Sequence, residues 1–457
     1  MSRLTSGLYD LLATVRARPT PYRREISERR SGISWLKQAI SHGVLFYAAV
    51  VGMTPTYADV ITDWNEITMA AVATGRPGAV GQLDVALVQI AVHDAVQAID
   101  KRFEPYHAEV KGAKGLRSAA AAAAAHHMLA GMYPMQAATL EAIYVNYLAS
   151  NGLESNSGLV VGQQIAANIL PLRRMPPDPV PPPFLGSNEP GVWRPTDSFI
   201  GTPPGPPLPF SPMATPWTAK SDPFTLTSPA RFRPAPPPPL TSDRYAKDYE
   251  EVKALGGLVS TQRTAEQTDL AYFFTDNIFA FWNRALRGIA SQHVHRIGDR
   301  ARLFALANMA MADAVITTWD SKVQYVFWRP LTAIREGDND GNPRTISDSE
   351  WQPLGNNPNY PDYTSGVNIV TAASTRTLAL FFGTDKMAFE LTTMAPQAVQ
   401  KTRVYHRFSD AARDAVDARV YLGIHFRFSD VVGRTQGKQV ADWTVRHFLL
   451  PLPRGKH

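Results

Sequence analysis

Cysteine is absent from the 457 residues, which excludes disulfides, thiolate-bound metals and cysteine nucleophiles. Net charge is small once it is located. Residues 1 to 42 hold eight Lys/Arg against three Asp/Glu, and subtracting them from 46 and 40 leaves 38 against 37. A chain so nearly neutral beyond its first 42 residues has no basic footprint for nucleic acid, so no nucleic-acid partner is expected. Long apolar runs are also missing. The strongest, Gly43 to Met53, has eleven residues, too short for a stable bilayer span but suited to the apolar stretch of an export signal. Small residues at Thr56 and Ala58 follow it, and Arg29-Arg30 ahead of Trp35-Leu36-Lys37 loosely resembles a twin-arginine signal. Residues 1–58 therefore read as a leader, with a mature start near Asp59 and an exported, periplasmic or secreted product. No repeat of fixed period and no sustained strand alternation is visible.

What remains is helical in pattern. Apolar residues recur at helical spacing from Leu83 to Ile99, and Ser118 to Leu148 is an alanine-rich helical stretch, giving an N-terminal helical region over 59–170. The pair His126-His127 follows seven alanines. Adjacent helical residues point about 100° apart and cannot share a metal, so the pair reads as helix surface. Of the 37 prolines, 23 fall between Pro171 and Leu240, so 171–243 cannot be helix or central strand and must be an extended wrap or linker. Its interleaved Phe184, Trp193, Phe210, Trp217 and Phe224 predict that it lies against the body. Helical patterns resume over 244–457, broken by a turn at Asp338 to Pro343 and a loop into Ser365. Asp338-Asn339-Asp340-Gly341-Asn342 looks like the start of a calcium loop but lacks the closing Glu, which favours a plain turn. The fold class is all-α.

Three short stretches of this last region would surround one tetrahedral anion. Lys322 and Arg329 are seven residues apart, two helical turns, and Pro330 is expected to end the helix and leave Arg329 at its tip. Ser365 precedes Gly366 and an apolar-periodic run, and so reads as an N-cap at a helix terminus able to face an oxyanion. Arg419 offers a fork of donors, and His425 follows six residues later. On an ideal helix that spacing leaves about 120° between the two side chains, so the pair needs a bend or an intervening ligand, and Gly423 eases either.

These residues, K-x6-R-P at Lys322, S-G at Ser365 and R-x5-H at Arg419, resemble the vanadium-dependent haloperoxidases, which share a site with the type 2 phosphatidic acid phosphatases. The likeness extends through RTAEQTD, DRARLFALANMAMADA, FWRPLTAIREGDNDGNP, NPNYPDY and GIHFRFSD. It implies a large helical bundle of the haloperoxidase or acid phosphatase type with a proline-rich extended segment. It also implies that Lys322, Arg329, Ser365, Gly366 and Arg419 hold vanadate oxygens, or phosphate or sulfate, and that His425 ligates the metal. Trp319 and Tyr360 fall beside the halide, and Asp276 falls where an acid braces Arg419. The implied partners are hydrogen peroxide, halide and a small organic substrate, with halide oxidised to hypohalous acid. Four positions depart from the pattern. Val367 replaces a proton-carrying histidine, Thr364 a proline and Ala418 a serine, while the acid expected four residues after His425 is Ser429, with Asp430 one place late. A phosphomonoesterase with His425 as nucleophile, and a degenerate oxyanion-binding relative without turnover, remain as alternatives.

Overall fold

In a computed structural model the described residues are 59–177, 182–196 and 212–453. The leader expected over 1–58 and the aromatic Phe210 lie outside them. Helix α1 (Val60–Gly75) begins where the Asp59 carboxylate accepts the Ile61 N–H at 3.3 Å. It is followed by α2 (Gly81–Asp100), α3 (Arg117–Met132), α4 (Ala137–Asn151) and α5 (Gly158–Ile169). The helical stretch expected from Ser118 to Leu148 is built as two helices, because Pro134 opens a short 3-10 turn between α3 and α4. The alanines explain how α3 packs. Ala119 to Ala125 are all fully buried, and a Cβ on Gly162 of α5 would lie 2.2 Å from the Ala120 carbonyl oxygen, a separation that only small residues permit.

His126 is not surface. It is 5% exposed and stacks on Tyr144 of α4 with ring centroids 4.1 Å apart, while His127 turns its Nδ1 to the Ala123 carbonyl. The pattern of α3 alone could not reveal that α4 covers this face.

The proline-rich chain is tied to the body at several of its described residues. Trp193 is 1% exposed, its N–H donates to Val326 O at 2.6 Å, and Trp328 N–H donates to Gly191 O. Buried Asp313 accepts three bonds from the segment, from Phe224 N, Thr225 N and Thr225 Oγ1 at 2.6 to 2.8 Å. The second helical set comprises α6 (Asp243–Gly256), α7 (Ala265–Phe273), α8 (Ile278–His293), α9 (Ile297–Tyr325), α10 (Pro330–Arg335) and α11 (Gly366–Phe382), then α12 (Phe408–Tyr421) and α13 (Arg427–His447). Between α11 and α12 stands an antiparallel hairpin, β1 (Lys386–Thr392) with β2 (Thr402–Arg407), which the helical reading of this region missed. Its signal was present: Phe389 and Leu391 alternate inward along β1.

Two contacts set the site. Helix α9 is buried around nearly its whole girth and forms the central post. Helices α11 and α13 cross at Gly433 and Gly437, where an added Cβ would lie 2.8 Å from Ser365 O and 2.1 Å from Ile369 O. That crossing brings the start of α11 against the start of α13. Among the described residues no helix is long and apolar enough to cross a membrane.

Candidate active site

Helix α9 ends at Tyr325, because Val326 takes a left-handed conformation (φ 47°). The chain then runs extended to Arg329. Pro330 therefore does not stop a helix; it occupies the first turn of α10, where a missing N–H costs nothing and the fixed φ fits, with Arg329 as the cap residue. Lys322 and Arg329 still converge, and both side chains are fully buried. Lys322 Nζ donates to the carbonyls of Pro361 and, at 3.0 Å, Asp362. Arg329 Nε donates to Tyr360 O at 2.7 Å and Nη1 to Ile424 O at 2.6 Å, while Nη2 is buried without a protein partner.

Ser365 caps α11 in position, yet its hydroxyl makes no capping bond. It accepts instead from Asn368 Nδ2 at 3.2 Å, and its own N–H donates to Ser429 O. Gly366 opens the helix, half-buried Val367 follows, and the buried Thr364 hydroxyl donates to Gln436 Oε1 at 2.8 Å. Arg419 lies in the last turn of α12, 7% exposed. Its Nη1 reaches Phe274 O at 3.3 Å, and its Nε is buried without a partner. Of the two ways to bring Arg419 and His425 together, a bend or an intervening ligand, the chain shows a bend: α12 ends at Tyr421 and Gly423 takes φ 78°, where a Cβ would meet Gly256 O at 2.1 Å.

His425 is 2% exposed, and its ring is held by a residue the sequence reading did not single out. Nδ1 lies 2.6 Å from Asp362 Oδ1, and the Ser429 hydroxyl donates to Asp362 Oδ2. Asp430, also fully buried, accepts from Asn368 Nδ2 at 2.8 Å and keeps Oδ2 unpartnered. The only local sign of Asp362 was an acid in NPNYPDY three residues before Ser365; no spacing rule links it to His425, 63 residues on.

Burial dominates the electrostatics. It lowers Lys322 well below the usual lysine range, with Arg329 adding to the effect. It brings Arg329 down to about 10 and lowers Arg419. His425 is driven well below the ordinary imidazole range by burial and then by Arg329, Lys322 and Arg419, so it is neutral at physiological pH. Burial pushes Asp362 up to about 7 against the pull of Arg329, Ser429 and Lys322, and pushes Asp430 well above the normal carboxyl range. Buried Lys322, Arg329 and Arg419, the two guanidiniums each with one unpartnered donor, stand beside a neutral imidazole and call for an anion with several acceptor oxygens. A tetrahedral oxyanion such as vanadate or phosphate would meet that need, with the unpartnered Arg329 Nη2 and Arg419 Nε as donors to it.

The remaining candidates divide. Tyr360 lies under both cations, its ring centroid 5.0 Å from Lys322 Nζ and 4.9 Å from Arg329 Cζ, and 5.3 Å from the Trp319 ring. Trp319 is anchored by its Nε1 bond to Ala214 O at 2.9 Å. Asp276 does not brace Arg419: its carboxylate takes Arg284 Nη1 at 3.2 Å and Met394 N at 2.9 Å. His406, which could act as a base in place of a histidine at position 367 if the segment from Thr402 to Ser409 folded over the pocket, is exposed on β2. The acidic turn is closed on itself, with Asp340 Oδ1 accepting from Asn342 N and Thr345 Oγ1, and among the described residues no cluster of His, Asp or Glu is arranged to hold a cation.

Known proteins resemble this chain in sequence and in fold. Residues 302–451 match the family model of the VCPO second helical-bundle domain. The chain is 26% identical over 300 residues to the vanadium chloroperoxidase of Curvularia inaequalis, a match covering 51% of this chain and 48% of that protein, so about half of that relative's length is spanned. In fold it is similar to a bacterial vanadium-dependent iodoperoxidase (TM-score 0.71, 23% identity, 86% of this chain and 98% of that one). It is likewise similar to the apo form of a bacterial vanadium-dependent chloroperoxidase (TM-score 0.66, 19% identity, 81% and 94%).

Proposed function

We propose that this chain, which matches the VCPO second helical-bundle domain over residues 302–451 and is similar to a vanadium chloroperoxidase, is a vanadium-dependent haloperoxidase that binds vanadate through Lys322, Arg329, Ser365, Gly366, Arg419 and His425 and oxidises halide with hydrogen peroxide. The observation that carries this reading is the convergence of three buried cations, with Arg329 Nη2 and Arg419 Nε unpartnered, on a histidine whose Nδ1 is already committed. When bound, vanadate would supply a Lewis-acidic centre that activates peroxide toward halide without changing oxidation state.

The protein's part is electrostatic. Lys322, Arg329 and Arg419 provide positive charge at fixed positions in a dry site, which costs little reorganisation as charge develops on the reacting oxygens. Neutral His425 presents a lone pair at Nε2 while Nδ1–H is held. Tyr360 covers Lys322 and Arg329 with aromatic surface and Trp319 packs on Tyr360, a lining that suits a weakly hydrated halide. Val367 can neither accept nor donate a proton, and it favours a second reading, an oxyanion-binding relative with little turnover.

Assays of bromide oxidation with peroxide and of phosphomonoester hydrolysis, on phosphate-free protein with and without orthovanadate, separate the readings. Vanadate-dependent bromide oxidation supports the proposal, hydrolysis alone would make the chain a phosphatase, and binding without either reaction would make it the low-turnover relative. We further propose export directed by residues 1–58. A product found outside the cytoplasm with its N-terminus near Asp59 supports this, and a cytoplasmic product retaining the segment would contradict it.

A further inference from the structure

The pattern that this chain resembles carries an acid four residues after the histidine, and here that position is Ser429. Taken alone, the change looks like decay. The structure shows instead that a carboxylate stands where one is needed, but on a different segment of chain. We propose that Asp362 is the positioning residue for His425, a relocated carboxylate, and that Ser429 is the matching change that accommodates it. This rests on the vanadate-site reading above.

Four contacts fix Asp362. Its N–H donates to Phe327 O at 2.9 Å, and its carbonyl accepts from Lys322 Nζ at 3.0 Å. Its Oδ1 faces His425 Nδ1 at 2.6 Å, and its Oδ2 accepts the Ser429 hydroxyl. Asp362 and Ser429 are fully buried, and His425 nearly so, which excludes water as a substitute acceptor. With Asp362 ionised its carboxylate only accepts hydrogen bonds, so in that state the neutral imidazole donates Nδ1–H to it and keeps its lone pair on Nε2. A ligating histidine depends on such a partner for its tautomer and ring orientation. Because the Ser429 hydroxyl already touches Asp362 Oδ2, a carboxylate at position 429 would extend into the volume that the Asp362 carboxylate fills. The two positions are alternatives for one acid. The acid missing at position 429 and the acid present at position 362 thus become one exchange, and the imidazole support of the site is rebuilt.

The test uses the full chain, phosphate-free, as the parent, Asp362→Asn, Asp362→Ala and the double variant Asp362→Ala with Ser429→Asp. Orthovanadate affinity is read by titration calorimetry, and the His425 tautomer by 15N chemical shifts of labelled histidine. Removing the acceptor in Asp362→Ala should weaken vanadate binding by ~10–100-fold. Asp362→Asn, whose amide oxygen can still accept Nδ1–H in the same shape, should lose less and shows that the effect is not one of folding. The double variant should recover at least tenfold of the loss. Equal affinity in Asp362→Ala and the parent, or a double variant no tighter than Asp362→Ala, would overturn the proposal. If no protein in the set binds vanadate, the family-site reading fails and the tautomer still decides this inference. Nδ1–H in the parent, lost in Asp362→Ala and regained in the double variant, supports it, and one unchanged tautomer throughout refutes it.

Discussion

Replacing Val367 by histidine should restore proton transfer to a site that otherwise keeps its charge. Val367 is the second residue of α11, two positions after Ser365 and half-buried, so an imidazole there need not be forced into the core. Its neighbour Asn368 is pinned between Ser365 Oγ and Asp430 Oδ1, which keeps the first turn in place when residue 367 changes. A positioned acid–base group contributes ~10²–10⁴ in rate, and the lower figure corresponds to ~2.7 kcal/mol of barrier. Bromide oxidation in orthovanadate and peroxide, followed from pH 5 to 9, should therefore rise about 10²-fold in Val367→His. A new titrating group should appear near or below neutrality, because the buried cations disfavour imidazolium. Vanadate affinity should stay within a few fold of the parent. Exposed His406, on β2, should be replaceable by alanine with no change. Identical rates and pH profiles for parent and Val367→His would refute the argument that proton transfer is limiting, and a large loss in His406→Ala would move that role to the hairpin.

Two further outcomes follow from packing and burial. Gly433→Ala drives a Cβ to 2.8 Å from Ser365 O, so α13 must shift from α11; it should cost about 1–3 kcal/mol in denaturant unfolding and weaken vanadate binding, and unchanged stability would show that the crossing is slack. His93 is fully buried, its pKa lowered to about 4 by burial. The unfolded chain takes up this proton below about pH 6.5 and the folded chain does not, so up to ~3 kcal/mol of stability present above pH 6.5 is lost between pH 6.5 and 4. Unfolding midpoints should fall less steeply over that window in His93→Gln than in the parent, and parallel curves would contradict the assignment.

Local spacing made the cation cage legible in the sequence, since K-x6-R-P, S-G and R-x5-H each lie within one stretch of chain. Even there the reading of Pro330 was reversed: a proline halts a helix behind it but equally opens one ahead, and only the left-handed Val326 shows which applies. Contacts between distant segments were not legible. Asp362 reaches His425 across 63 residues, Asp276 is taken up by Arg284 of α8 and by Met394 in the loop between β1 and β2, and His126 is covered by a helix that its own pattern cannot show. The hairpin itself had a period-2 signal over Met387, Phe389 and Leu391, hidden by its shortness among helices.

The central claim is that Lys322, Arg329, Ser365-Gly366, Arg419 and His425 form one oxyanion site with His425 as its ligand. Titrating phosphate-free parent and His425→Ala with orthovanadate, and separately with phosphate, tests it most directly. The account predicts vanadate binding in the parent that is lost or weakened by more than ~10-fold in His425→Ala, while phosphate, held by the cations alone, still binds both proteins. Equal vanadate affinity in the two proteins, or no binding of either anion to the parent, would contradict it.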